Sequence, residues 1–400
     1  MSDQVESRPV VAGRRIGEVD SLRGFALFGI LVTNVLVATM LFSFTGDDPH
    51  PSFDGGIDRF VYALMDAFFL GKFYLLFAFL FGYSFTLQIA AAQRAGVGPL
   101  PRLFRRCGAL FLIGLAHVLF LWLGDILTLY AVLCLWLILL RRIRPRTALI
   151  AGVAMYFLFA LVVFLPGGDG GIAGLGDLFD LRELHTAYTG GFLDTFRIQL
   201  ETGPKFMLFT WFAQGMPALG MFLIGTAAGK WKLFENDALL ECWIPRAMIL
   251  GSVVGLPFSL ATLFFQTKNG EMSTFWYGMQ ELANPFMTLA YVAAILWVAR
   301  SRWSWVTTGA APAGRMAASN YIGQSVVLML VYTGYGLALA DRIPPAAVLG
   351  IALLTYAAQL AISAWWLRRY AYGPVEWLLR AATYRSIPMW SKTPLLQPKA

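Results

Sequence analysis

Long uncharged apolar runs recur along the chain and alternate with short segments that carry charge. A helix needs about 20 mostly apolar residues to cross the hydrocarbon core of a bilayer. Ten runs approach or reach that length, although the fourth and the eighth have only 15 residues. The pattern predicts an all-α integral membrane bundle of about ten transmembrane helices, at 24–44, 73–92, 107–124, 126–140, 147–165, 206–229, 247–267, 285–299, 316–340 and 343–367.

These runs predict one integral membrane domain with a single long connection. Loops of that length are usually functional or disordered. The connection is interpreted as a lid or acceptor platform, or equally as a passive amphipathic connector with short interfacial helices at 175–200. The predicted order within residues 1–400 is a cytoplasmic tail at 1–23, five spans in 24–165, an external loop at 166–205, five spans in 206–367 and a cytoplasmic tail at 368–400.

Lysine and arginine are distributed unevenly over the connections. With the N-terminus inside, 24 of the 31 basic residues lie in cytoplasmic segments and six lie outside, while Lys72 is near a boundary. Cytoplasmic loops of membrane proteins carry an excess of Lys and Arg. The alternation of basic and non-basic loops therefore predicts an even number of spans, with both termini in the cytoplasm.

Composition strengthens this assignment and excludes other classes. Apolar residues make up 58% of the chain and charged residues 14%, against about 45–50% and about 25% in ordinary globular proteins. A soluble protein would lack polar surface, and a disordered chain would need low hydrophobicity and high charge. The net charge of +8 is explained by basic loops beside anionic lipid headgroups. The lipid bilayer is the expected partner, and no nucleic-acid partner is expected.

Polar side chains inside the spans are the candidate functional groups, because they are costly in hydrocarbon. Arg23 and Asn34 are eleven residues apart, which places them about 20° from the same helix face and about 16 Å apart along the axis. They form one stripe that could line a cavity. A snorkelling arginine and an asparagine that bonds a neighbouring helix remain the alternative.

His117 lies midway along the third span, and Asp125 follows at its outer end, with Tyr130 on the next helix. A continuous helix would separate His117 from Asp125 by about 80° and 12 Å, so direct contact is not expected. A pKa near neutrality suits histidine to general acid–base catalysis. An interhelical hydrogen bond is the structural alternative.

Further polar residues flank or interrupt the spans. Asp66 and Lys72 are about 120° apart on a helix and need not pair; they suit a re-entrant or boundary helix beside a cavity. Asn320 and Gln324 are four residues apart, and so are Gln359 and Ser363. This spacing is typical of interhelical hydrogen bonding. Small-xxx-small motifs for close helix packing occur at Gly225 with Gly229 and Gly251 with Gly255. No zinc-ligand pattern, phosphate-binding loop or dinucleotide fingerprint is present, so no metal is expected.

Several separated blocks, in order, resemble the YeiB-like family of bacterial inner-membrane proteins, a family without an established activity. The resemblance covers nearly the whole chain. The external residues Tyr188, Gly191, Phe192 and Arg197 match more loosely. The matching blocks are Glu18–Asn34, Lys72–Gly82, His117, Gly124–Leu127, Tyr130, Gly314–Ala317, Asn320, Tyr321, Gln324, Ser325 and Tyr372–Trp377.

The YeiB-like family is in turn similar to the transmembrane acyltransferases. That resemblance implies about ten helices and transfer of an acyl group from cytoplasmic acyl-CoA to an acceptor on the far side. In the O-acetyltransferases an arginine matching Arg23 is followed, eleven residues later, by a catalytic histidine, whereas this chain has Asn34 there. The glucosamine-acetylating branch also has asparagine, followed by a histidine; here the nearest candidate is His50, at a different spacing.

The leading hypothesis is an acyltransferase of the bacterial inner membrane. Asn34 would hold the acyl carbonyl or the acceptor, and His117, or alternatively His50, would take the acceptor's proton. Other classes left open are a transporter or channel for a small metabolite and a non-catalytic scaffold; the acceptor, small or lipid-linked, and the oligomeric state, including a dimer, are also open. Acyl-CoA phosphates would be bound by Arg23, Arg105, Arg106 and Arg315, and the cavity lined by Asp66, Lys72, Asp125, Tyr130, Asn320 and Gln324.

Overall fold

A computed structural model describes residues 17–42, 53, 55–162, 178–269, 274–340 and 342–391. These residues form an all-α bundle, and in the described ranges the only β pairing is an isolated bridge between Tyr370 and Ser391. The helices are α1 Gly17–Phe42, α2 Gly56–Phe68, α3 Phe73–Arg94, α4 Pro99–Phe120, α5 Leu127–Leu139, α6 Pro145–Val162, α7 Leu181–Thr189, α8 Phe192–Lys230, α9 Asp237–Asn269, α10 Thr274–Ala299, α11 Ser304–Arg315, α12 Ala317–Tyr332, α13 Pro345–Arg369 and α14 Pro374–Tyr384.

Seven helical stretches in the described residues are long and apolar enough to cross a membrane. They are Gly17–Thr39, Gly56–Arg94, Pro99–Phe120, Phe192–Glu235, Asp237–Gln266, Phe275–Ala299 and Pro345–Arg369. The prediction of an all-α membrane protein is confirmed at this level. Each of the ten apolar runs coincides with a helix, but α5, α6 and α12 fall outside the seven. The count of ten and the orientation of the termini stay predictions.

Large apolar side chains point outward along the middle of the bundle. Phe212 on α8 is 84% exposed, Leu354 on α13 is 73% exposed and Val253 on α9 is 68% exposed. Extensive apolar surface on a soluble monomer is rare. These side chains instead suit contact with lipid chains.

The described part of the long connection, from residue 178 onward, is largely helical. A short helix is confirmed as α7, but α8 begins at Phe192 rather than at 206, so residues 192–205 extend the sixth span. Tyr188 of α7 is buried, and its hydroxyl donates to the Gln199 side chain. The Gln199 amide in turn donates to the Val118 carbonyl at 2.6 Å. The described part of this connection is therefore bound to the end of α4.

Glycines allow the longest helices to pack with their backbones in contact, as the small-xxx-small motifs predict. A Cβ atom at Gly225 of α8 would overlap the Phe79 carbonyl of α3. A Cβ at Gly251 of α9 would lie 2.6 Å from the Phe286 carbonyl of α10. Both predicted motifs are confirmed as close helix contacts.

We expect Gly225→Ala to lower the free energy of unfolding by about 1–3 kcal/mol, the usual cost of overpacking. Gly350→Ala on α13 is the matched control, because no atom lies within 4 Å of its Cβ position. Alanine there should be neutral or stabilise by up to about 1 kcal/mol. Thermal unfolding of the purified variants in detergent measures both. Equal stability of the two variants would contradict the close contact of α3 and α8.

Candidate functional site

A cavity of about 180 Å³ lies inside the bundle. It is bounded by the second half of α1, the start of α3, the segment before α5, the middle of α8 and the start of α10, with Phe159 of α6 and Tyr321 of α12 completing the wall. These parts belong to one end of the bundle, the end at which α1 and α4 finish. The polar residues lining the cavity are Thr33, Asn34, Tyr74, Asp125, Thr210, Gln214, Tyr277, Glu281 and Tyr321.

The structure corrects the expectation that His117 and Asp125 cannot touch. Helix α4 ends at Phe120, and the chain reverses through residues 121–126 before α5 begins. Asp125 therefore returns beside His117, and its Oδ1 lies 3.0 Å from His117 Nδ1. The predicted separation holds only for one continuous helix, and the chain reversal after Phe120 ends that helix.

Backbone amides at the start of α5 hold the Asp125 carboxylate in place. The Thr128 N–H donates to Oδ2 at 2.7 Å, and the Leu127 N–H donates to Oδ1 at 3.2 Å. Negative charge is stabilised at the N-terminus of a helix. Asp125 is almost completely enclosed, yet it forms part of the cavity wall. This arrangement keeps an oriented carboxylate next to the cavity.

His117 lies behind Asp125 and joins it to α12. Its Nε2 is 2.8 Å from the Ser325 hydroxyl, and its ring centroid is 5.1 Å from that of Tyr321. The Tyr321 hydroxyl donates to the Gly124 carbonyl at 2.9 Å. His117 itself does not line the cavity. An ionised Asp125 accepts from Nδ1–H, and in the neutral tautomer with that proton Nε2 can accept from the Ser325 hydroxyl.

Asn34 lines the cavity, but Arg23 lies at the other end of α1. The Arg23 guanidinium contacts Asp20 at 3.3 Å and donates to the Ser84 hydroxyl of α3. The two predicted stripe residues thus lie at different depths of the bundle, as their axial separation of about 16 Å requires. The structure brings Asn34 together with Asp125 and leaves Arg23 outside that group.

The remaining predicted arginines also lie at the end where α1 and α4 begin. Arg105 donates to the Thr383 carbonyl of α14 at 2.9 Å. Arg106 follows it on α4, and Arg315 ends α11 next to Gly314, which packs on the backbone of Asp20. None of these arginines lines the cavity. Any phosphate group bound here is separated from Asn34 and Asp125 by much of the bundle.

Three of the other predicted cavity residues form contacts between helices instead. The Tyr130 hydroxyl donates to the Tyr74 carbonyl at 3.1 Å. The Asn320 amide donates to Ser363 and the Gln324 amide to Gln359, each at 2.9 Å. The interpretation of these spacings as interhelical hydrogen bonds is confirmed. Hydrogen bonds to α13 hold the N–H groups of both amides between the helices, while Gln324 Oε1 has no hydrogen-bond partner.

Asp66 and Lys72 are buried behind the wall that Glu281 contributes. The sequence indicated that their side chains need not pair, and the contact between the two residues is from Lys72 Nζ to the Asp66 backbone carbonyl oxygen, at 3.4 Å. The chain turns between α2 and α3 at Gly71, whose φ is +79°. This turn brings Lys72 back toward the end of α2, a geometry that a continuous helix does not allow.

Sequence reasoning missed Glu281, the second carboxylate of the cavity. The eighth span was predicted to begin at residue 285, so Glu281 was left in a connection. Helix α10 begins at Thr274 and carries Tyr277 and Glu281 to the cavity wall. The aromatic run before residue 285 was the signal for this longer helix. His50 lies outside the described residues, among which no cluster of three or more His, Cys, Asp or Glu suits a metal ion.

Comparison with known proteins matches the chain to others without an assigned activity. Residues 228–386 match a family model described as a protein of unknown function, DUF418. The chain is 30% identical to the uncharacterized protein YxaH of Bacillus subtilis, over 95% of this chain and 96% of YxaH. It is 28% identical to an uncharacterized 39.9 kDa protein of Bacillus acidopullulyticus, over 96% and 98%. It is 26% identical to the uncharacterized protein YeiB of Escherichia coli, over 94% and 98%.

Proposed function

We propose that this chain, which belongs to the YeiB-like DUF418 family, is a membrane-embedded acyltransferase. In this proposal ten helices cross the bacterial inner membrane, and both termini lie in the cytoplasm. The observation that carries the proposal is the position of Asp125. This residue forms part of the cavity wall, and its buried carboxylate is held by His117 and by the first turn of α5.

The cavity is the proposed acceptor site, and Asp125 is the proposed base. An acceptor hydroxyl or amine would lose its proton to the Asp125 carboxylate while its oxygen or nitrogen bonds to the acyl carbon. The carbon–sulfur bond of acyl-CoA breaks in the same reaction, and the proton finally resides on the released thiol. The amide of Asn34 would donate to the acyl oxygen as negative charge develops there.

His117 takes a different role from the one that the sequence indicated. Because Asp125 stands between it and the cavity, His117 acts in this proposal as a positioning residue rather than as the group that touches the acceptor. It holds Asp125 with Nδ1–H and is itself fixed by Ser325. A base oriented by a second hydrogen-bonded group is a recurrent arrangement in acyl transfer.

The donor would enter from the end at which Arg23, Arg105, Arg106 and Arg315 lie. Guanidinium groups suit phosphate recognition, and these residues fall in segments predicted to be cytoplasmic. The acylated arm of acyl-CoA would then extend about 16 Å along α1 from Arg23 to Asn34. The phosphates stay among the arginines, and only the thioester reaches the cavity.

Ligand binding tests the proposal. Acyl-CoA, but not the free fatty acid, should raise the melting temperature of the purified protein in a concentration-dependent manner. Arg23→Ala should weaken this response, because a phosphate-binding group is lost. Arg302→Ala is the matched control, since Arg302 is exposed and stacks on Trp303. No stabilisation by acyl-CoA at millimolar concentration would contradict the proposal.

A transporter is the second candidate, because the ionisable side chains lining the cavity are two carboxylates and three tyrosines. Asp125 and Glu281 would favour a cationic solute. Stabilisation by a small organic cation, combined with no effect of acyl-CoA, would favour this candidate. Release of free thiol from acyl-CoA would favour the acyltransferase.

A further inference from the structure

A second polar centre lies next to the cavity and is not used in acyl transfer. It consists of Asp66 on α2, Lys72 before α3, Gln266 on α9, and Glu281 and Asn284 on α10. Asp66, Lys72 and Asn284 are 4%, 1% and 2% exposed. We call these five residues the Asp66 cluster. Glu281 belongs to both the cluster and the cavity wall.

Hydrogen bonds connect the members of the cluster, either directly or through Thr288, whose hydroxyl contacts the carbonyls of Lys72 and Asn284. The Gln266 amide donates to Asp66 Oδ2 at 2.5 Å. The Asn284 side chain hydrogen-bonds Glu281. Lys72 is held by a bond from its Nζ to the Asp66 carbonyl at 3.4 Å and by a bond from Thr288 to its own carbonyl at 3.0 Å. Four helices or helix ends therefore meet around these side chains.

Three oxygens of the cluster have no hydrogen-bond donor. They are Asp66 Oδ1, Gln266 Oε1 and Asn284 Oδ1. All three are acceptors, and the two on Asp66 and Asn284 belong to side chains more than nine-tenths buried. A buried polar atom without a partner is costly. Each of these atoms can accept a hydrogen bond or coordinate a cation, and the surrounding side chains provide no hydrogen-bond donor to it.

The net charge of the Asp66 cluster also favours a bound cation. Asp66 and Glu281 are two carboxylates, and in the described part of the chain Lys72 is the one cation that acts on both. The other groups close to the carboxylates are the neutral phenols of Tyr62, Tyr74, Tyr156 and Tyr277. With both carboxylates ionised the cluster has a charge of −1. One further monovalent cation would bring it to zero.

We propose that the Asp66 cluster binds one alkali-metal cation, with the oxygens of Asp66, Gln266 and Asn284 among its ligands. Carboxylate and amide oxygens suit hard cations. A divalent ion would leave a charge of +1 next to Lys72, whereas sodium or potassium leaves none. Because Glu281 lines the cavity, the ion enters from there. The proposal is independent of acyl transfer and stands if that activity is absent.

Cation replacement at constant ionic strength tests the site. The full-length protein in detergent is melted in sodium, potassium or N-methylglucamine chloride. We expect the melting temperature to rise by several degrees, saturably, in at least one alkali salt relative to N-methylglucamine. Equilibrium dialysis with radioactive sodium or a potassium tracer should find one bound ion per chain.

Variants then locate the ion. Asp66→Asn brings the cluster to zero charge without a cation, so its melting temperature should no longer respond to alkali ions. Gln266→Leu removes one ligand and should weaken ion binding by about tenfold. Glu241→Gln changes an exposed carboxylate on α9 and should respond as the wild type does.

Two results would overturn the proposal. One is an equal melting temperature in all three salts with no bound ion, above all if stability instead follows pH, since a proton would then neutralise the cluster. The other is an unchanged alkali response in Asp66→Asn or, if that variant does not fold, unchanged ion binding by Gln266→Leu.

Discussion

Asp125→Asn should reduce acyl transfer by about 10²–10⁴-fold, the range expected when a general base is lost. Asparagine is nearly isosteric, and its side-chain oxygen can still accept from the amides at the start of α5, as asparagine does at helix N-termini. Folding should therefore be preserved while the proton acceptor is removed. The measurement is the rate of thiol release from acyl-CoA by wild type and variant, normalised to folded protein.

Variants of the residues that hold Asp125 in place distinguish a positioning role from a purely structural one. His117→Asn and Ser325→Ala should each lower turnover less than Asp125→Asn does, and His117→Asn should also change the pH profile of turnover. Thr210→Val is a matched control on the cavity wall, because its hydroxyl is already bound to the Phe206 carbonyl at 2.9 Å. Wild-type turnover in Asp125→Asn would show that this carboxylate is not the base.

Lys72→Met should destabilise the protein by about 3–5 kcal/mol, the cost of removing one partner from a buried charge group. Methionine keeps most of the side-chain volume, so the effect reports charge rather than a cavity. Asp66 and Glu281 would then lose Lys72, the side-chain cation that acts on both of them in the described residues. Chemical or thermal unfolding in detergent measures the loss.

A second substitution tests that explanation. Lys72→Met combined with Asp66→Asn has the same net cluster charge as the wild type, so it should recover at least half of the lost stability. Non-additivity of this kind is the signature of residues that interact directly. A loss below about 1 kcal/mol in Lys72→Met, or no recovery in the double variant, would contradict the charge coupling.

The elements were largely predictable because the driving forces along a membrane chain are local in sequence. Apolar runs identified the segments that become α1, α3 and α13, and glycines four apart identified the close contacts of α8 and α9. Boundaries were less predictable where aromatic and polar residues mix. Helices α8 and α10 begin at Phe192 and Thr274, well before their apolar runs, because buried polar residues such as Gln199 and Gln280 continue each helix ahead of its run.

The candidate site was predictable in its residue types but not in its contacts. Asn34, His117 and Asp125 were identified because polar groups in hydrocarbon are costly. Their grouping was not predicted. The geometry of a continuous helix separates His117 from Asp125, and only the chain reversal after Phe120 brings them into contact. Glu281 was not predicted as a site residue because its helix was predicted to start four residues after it.

Composition and the placement of charges were enough to identify an all-α membrane protein and to select the polar side chains that matter, because the cost of burying charge depends on residue type. Only the tertiary structure decided which of those side chains share a cavity. Chain reversals at 121–126 and at Gly71 set those contacts. Such turns depend on what packs around them, so periodicity within a single helix cannot reveal that Asp125 meets His117 or that Lys72 meets Asp66.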